Sequence, residues 1–138
     1  MKILLPVDGS DYTKRMLAYI AAHDELLGKE HEYIALHVVP SIPAFAAHFI
    51  APDALGDQYR TAAERVLEPI QAFAAQQGWK LRVAHAQGHA PDVIAAFADA
   101  ERVDLIAMGA HGYSAVGMLG SVTMGVLARC TAPLLLIR

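Results

Sequence analysis

A chain of 138 residues, 55% hydrophobic and 18% charged, is long enough for one domain, residues 1–138, with a continuous core. The net charge of −3 provides no basic stripe to follow phosphates, so nucleic acid is excluded as an expected partner. The apolar start Met1–Val7 is broken by Asp8 and is too short for a signal peptide or a membrane span, and the lone Cys130 excludes an internal disulfide, so no membrane insertion and a cytoplasmic location are expected.

Ile3–Val7 is a continuous apolar run and predicts a central parallel strand that stops near Pro6. Asp8-Gly9-Ser10-Asp11 predicts a turn with Ser10 as the N-cap of a helix. That helix carries Met16, Leu17, Ile20 and Leu27 near one face and is expected to run to Gly28 as its C′ residue. Tyr33–Val39 predicts the second strand, with His37 a hydrogen-bonded strand histidine.

Residues 41–56 hold the apolar Ile42, Phe45, Phe49 and Ile50, while Pro43 and Pro52 forbid one long helix across them. A loop of that length is a lid over a ligand, a surface for a protein partner, or a cover for the sheet edge. Asp57–Gln77 is helical, with Pro69 expected to kink it and Gly78 to end it. Leu81–His85 alternates as a strand nearer the sheet edge. Gly88–Asp92 turns into a further helix with Pro91 at N1 and Val93, Ile94 and Phe97 toward the core. His85 and His89 straddle a glycine turn with no third ligand close by, so ordinary histidines are expected there, not a metal site.

The strongest signal lies at Leu105–Met108, a short buried strand that meets a glycine-studded loop from Gly109 to Gly120 and then a helix opening at Ser121-Val122-Thr123. Glycines let backbone N–H groups approach a ligand, and the first N–H groups of a helix favour an anion. Ser121 and Thr123 add hydroxyl donors at that end. Gly112 and Gly117 have P-loop spacing, but Met118 stands where the lysine belongs, and no Lys or Arg occurs between Arg102 and Arg129. An anion is therefore expected to be held by amides and hydroxyls, with or without a metal ion, and not by a side-chain cation. The apolar Leu134-Leu135-Leu136-Ile137 predicts a last strand whose exposed edge invites a homodimer.

Alternating strands and helices predict an α/β fold: a five-stranded, mostly parallel sheet with helices on both faces and right-handed crossovers. Ligands of such sheets collect at the carboxyl ends of strands near a topological switch, which makes Asp8 and the Gly109 loop expected neighbours.

Met108-Gly109-Ala110-His111-Gly112, Gly120-Ser121-Val122-Thr123 and Ala132-Pro133-Leu134-Leu135-Leu136-Ile137 together resemble the C-terminal signature of the universal stress protein family. ATP-binding members of that family carry G-x-x-G, nine residues, then G-[S/T]; here seven residues separate Gly112 from Gly120. The resemblance implies a Rossmann-like fold of the adenine nucleotide alpha hydrolase type, ATP (or ADP or AMP) as ligand, and pairing of C-terminal strands in a dimer. By matching positions it implies Pro6, Val7, Asp8 and Val38 around adenosine, with the Val38 backbone facing the base. It likewise implies Met108, Gly109, Gly112, Gly120, Ser121 and Val122 around ribose and phosphates. Thr123 is added from helix-end chemistry alone. Asp8 is the candidate ligand for Mg2+, against the plainer role of a turn-former bonding its own backbone.

The resulting expectation is an adenine-nucleotide-binding, homodimeric stress-response module that is non-catalytic or very weakly hydrolytic. No Ser-His-Asp or paired-carboxylate arrangement can be assembled near the loop, and Asp8-Gly9-Ser10-Asp11 is not the S-G-G-x-D-S loop of the related ATP pyrophosphatases. The alternatives are a weak ATPase and a protein-interaction module with a decayed nucleotide site. Without a cation and with a shortened loop, ATP is expected to bind within about tenfold of ADP or AMP unless Mg2+ is present.

Overall fold

The computed structural model describes residues 1–111 and 119–138. Its sheet has the order β3-β2-β1-β4-β5, and every strand pair is parallel. The strands are β1 (Lys2–Pro6), β2 (Glu32–Val39), β3 (Lys80–Gln87), β4 (Leu105–Gly109) and β5 (Leu134–Ile137). The central strand is buried on both faces, which is why its sequence is continuously apolar and does not alternate. Ile3 and Leu5 join one core and Leu4 the other. At the edge, β3 alternates between half-buried and exposed residues along most of its length.

The helices are α1 (Asp11–Ala22), α2 (Asp24–Leu27), α3 (Ala44–Ala47), α4 (Pro52–Gln77), α5 (Ala90–Glu101) and α6 (Ser121–Arg129). Met16, Leu17 and Ile20 of α1 and Leu67, Ile70 and Ala74 of α4 fill the core on one face of the sheet. Ile94 and Ala98 of α5 and Val126 of α6 fill the other. Helices therefore cover both faces, as right-handed βαβ crossovers on either side of a switch require.

The structure corrects several boundaries. The helix expected to run to Gly28 breaks at His23, whose backbone (φ −122°, ψ 58°) leaves the helical region. The His23 ring bonds the Tyr19 carbonyl at 2.7 Å and stacks on the Tyr19 ring, and a separate short turn, α2, follows. Gly28 is extended, not left-handed; its glycine is required by contact, since a Cβ there would lie 2.5 Å from the Asp24 carbonyl oxygen. α4 starts at Pro52, five residues before the periodicity becomes visible, because proline at the first turn loses no hydrogen bond and has the helical φ already. The same helix continues through Pro69 to a left-handed Gly78. α5 buries Pro91, Ile94, Ala95 and Ala98, a face turned slightly from the one the larger side chains suggested.

Candidate functional site

The switch in strand order falls between β1 and β4, which pair through Ile3–Leu105 and Leu4–Ile106. Beyond their carboxyl ends lies a cleft of about 560 Å3. β1 ends into it at Pro6, and Val7 and Asp8 follow along its wall. Asp8-Gly9-Ser10 turns sharply, with Gly9 at φ 78°. The turn is held by the carboxylate: Ser10 N–H and the Thr13 hydroxyl both donate to Asp8 Oδ1, each at 2.9 Å. The Ser10 side chain caps α1 by accepting from Thr13 N–H, as expected. Asp8 is thus a turn-former, and Oδ2 takes no part in those bonds.

β2 outruns β1 by three residues, since Pro6 pairs with Leu36 and the strand continues to Val39. Val7 N–H donates to the Leu36 carbonyl at 2.9 Å, and Gly88 N–H donates to the Val39 carbonyl on the opposite side. Backbone groups alternate sides along a strand, so the Val38 N–H and C=O point past the end of β1 toward the cleft that Val38 lines. His37 is the hydrogen-bonded strand histidine the sequence suggested, its Nδ1–H donating to the Val7 carbonyl at 2.8 Å.

The opposite wall comes from β4 and α6. Met108 and Gly109 end β4 at the cleft, and Gly120, Ser121, Val122 and Thr123 open α6 there. The N-cap is Gly120, with no side-chain cap, so no side-chain oxygen competes for the first N–H groups of the helix. Ser121 is exposed at this end. Thr123 lines the cleft with its hydroxyl turned to the strand end. It is buried, and its hydroxyl donates to the Gly109 carbonyl at 3.1 Å, so its one proton ties the end of β4 to α6 and is not offered to a ligand. Gly109 is sterically fixed, because a Cβ would lie 2.9 Å from Tyr12 Cβ. Gly112 lies outside the described residues. All the other residues expected at the nucleotide, drawn from both ends of the chain, line this one cleft.

Sequence reasoning missed the α4 wall. Ala62, Arg65 and Val66 also line the cleft, so a side-chain cation does stand at the site, contrary to the expectation drawn from the loop alone. The residues near the glycines carry no signal of it, because α4 reaches the cleft by crossing β2 and β3. His111 lines the cleft as well, its ring 4.9 Å from Tyr12, and its buried Nδ1 has no hydrogen-bond partner among the described residues. None of residues 41–56 lines the cleft among the described residues, so no lid is formed by that segment in this structure. His89 instead bonds Asp92 at 2.8 Å, and the described residues contain no group of three or more metal-ligating side chains. No described helix is long and apolar enough to cross a membrane.

The chain is similar to known proteins in sequence and fold. A universal stress protein of Thermus aquaticus is 30% identical over 138 residues, covering 99% of this chain and 97% of that one. Among solved structures, protein MJ0577 superposes with a TM-score of 0.82 at 30% identity, over 99% of this chain and 94% of its own. A universal stress protein family protein from Arabidopsis thaliana with AMP bound shares the fold at a TM-score of 0.70 and 17% identity, over 99% of this chain and 90% of its own. The sequence profile of the universal stress protein family matches residues 1–138, and the chain belongs to that family.

Proposed function

We propose that this chain is an adenine-nucleotide-binding stress-response protein that works as a homodimeric regulatory module and catalyses hydrolysis weakly or not at all. The observation that carries the reading is the pairing, across one cleft, of a Val38 main-chain donor and acceptor that meet no backbone partner on the cleft side among the described residues with an uncapped helix N-terminus at Gly120 and Ser121. A purine edge offers the matching acceptor and donor at one end of a nucleotide, and phosphate matches the helix end at the other. The same fold holds AMP in the Arabidopsis protein, which supports this choice.

Pro6, Val7, Asp8 and Val38 then surround adenosine, and Met108, Gly109, Gly120, Ser121 and Val122 surround ribose and phosphates, with Gly112 of the loop motif assigned to the same role. Asp8 Oδ2 is the atom left to meet the ligand. A single carboxylate fits Mg2+ only as the ion is usually held beside nucleotides, by one or two carboxylates plus phosphate oxygens. Exposed Phe45 (78%) and Phe49 (87%) support a protein partner at residues 41–56.

Titration calorimetry on nucleotide-stripped protein tests the reading. Micromolar or tighter binding of ATP, ADP or AMP is expected, with no turnover of labelled ATP beyond a slow background. Asp8→Asn keeps an Oδ1 for Ser10 and Thr13 while replacing Oδ2 by an amide, and a loss of about tenfold is expected. Unchanged affinity would leave Asp8 with the turn alone, and no binding of any adenine nucleotide would remove the function.

A further inference from the structure

An anionic ligand needs its charge opposed, and the glycine loop has no means to do so: no Lys or Arg occurs between Arg102 and Arg129. Amides and hydroxyls stabilise individual oxygens but leave the net charge standing. Among the described residues that line the cleft, Arg65 is the only Lys or Arg. It projects from the middle of α4, a 26-residue helix whose Leu67, Ile70 and Ala74 are locked into the core, so its base is rigidly held. Its neighbours do not claim it. Arg60 pairs with Asp57 at 2.7 Å and approaches Glu64 at 3.9 Å, and Glu68 stands one turn on, yet Arg65 makes no ion pair or side-chain hydrogen bond among the described residues. The other lining side chain with full charge at neutral pH, Asp8, has Oδ1 engaged by Ser10 and Thr13.

We infer that Arg65 is the specificity-determining cation of this cleft, selecting phosphorylated nucleotides over the neutral nucleoside and replacing the lysine that a phosphate loop would carry. The inference rests on the nucleotide reading of the cleft. A guanidinium offers paired donors that match a phosphate, and its charge gains more as the ligand carries more charge. A cation supplied by a helix across the cleft also releases the glycine loop from providing one, so loop length and anion preference become separate properties. ATP then keeps an advantage over AMP that the loop by itself does not predict.

The test is parallel titration of adenosine, AMP and ATP, without Mg2+, against wild type, Arg65→Gln and Arg65→Lys at low and high salt. Arg65→Gln is expected to weaken ATP about tenfold and AMP less, leave adenosine unchanged, and reduce the salt dependence of ATP binding. Arg65→Lys keeps the charge and is expected to stay within about threefold of wild type. Equal losses for adenosine and ATP would mean that Arg65 packs against the base, and no loss for either would mean that it faces solvent; each overturns the inference. Circular dichroism of the variants verifies that α4 is intact. A wild type that binds no adenine nucleotide removes the reading of the cleft itself, whereas a wild type that binds while Arg65→Gln binds ATP equally well removes only the role of Arg65.

Discussion

Tyr33 shows how one side chain sets a local condition for the whole sheet. Its ring is 1% exposed and stacks on Trp79 at 5.0 Å, while its hydroxyl reaches the Gly28 carbonyl at 2.8 Å and also meets the Leu27 carbonyl. That bond closes the end of α2 against the start of β2. Burial, with the nearby Asp24 charge, pushes the phenol up to about 12 from its ordinary 10.0. The raised value means the unfolded chain loses this proton first, so the stabilisation is complete below pH 10 and is lost as pH rises toward 12. Tyr33→Phe is expected to cost about 1–3 kcal/mol near neutral pH by leaving buried carbonyls without a donor. The gap between wild type and variant in urea midpoint should close between pH 10 and 12, and a gap independent of pH would show that the hydroxyl does not titrate with folding.

At the scale of elements, α5 and α6 approach so closely that one residue decides their spacing. A Cβ on Gly125 of α6 would lie 2.6 Å from both Cβ and Cγ of Pro91, at the first turn of α5. The proline ring is rigid and buried, so it cannot turn aside as a flexible side chain would. Gly125→Ala gains about 1 kcal/mol of helix propensity but faces an overpacking cost of about 1–3 kcal/mol. The contact is expected to win, with a net loss of about 1 kcal/mol seen in the urea midpoint; a stability equal to or above wild type would show that the helices separate freely. Because α6 carries Ser121 at its other end, the same close approach places the helix N-terminus at the cleft. Asp92 reinforces the junction by accepting from Arg129 at 2.6 Å, and its bonds to His89 and Arg129 hold its carboxyl below the usual range.

For the whole molecule, the two sheet edges differ in kind. β3 carries Lys80 and Arg82 on its edge, and such charges discourage strand pairing. β5 is Leu134-Leu135-Leu136-Ile137, with no charge, and pairs only with β4 among the described residues. The carbonyls of Pro133 and Ile137 face β4, accepting from Ile106 and Ala110, so the N–H groups of Leu134 and Leu136 point outward. Pairing of two β5 edges about a two-fold axis is the proposed dimer. Light scattering is expected to return twice the 14.8 kDa of one chain, and Leu136→Pro, which removes an outward N–H without touching the β4 ladder, is expected to lower it toward one chain. Lysine at Leu135 or Ile137 is a poorer probe, since both pack into the core. A wild type that scatters as a monomer at working concentrations would remove the dimer.

Sequence by itself determined the fold class, because the continuous apolar runs at β1 and β4 and the helical periods between strands leave only a parallel sheet covered on both faces. It also marked one side of the candidate site: a glycine-rich stretch ahead of a helix start is local information, carried by neighbouring residues from Gly109 to Ser121. The tertiary structure alone decided three further points. His23 breaks α1 through a ring bond to the preceding turn, which the hydrophobic period does not encode. Thr123, equally placed with Ser121 in sequence, points inward to Gly109, because helix rotation assigns one hydroxyl to the core and the next to solvent. Arg65 reaches the cleft from a distant helix, since the order β3-β2-β1-β4-β5 brings α4 over the end of β2, and no spacing along the chain records where a crossover helix lands.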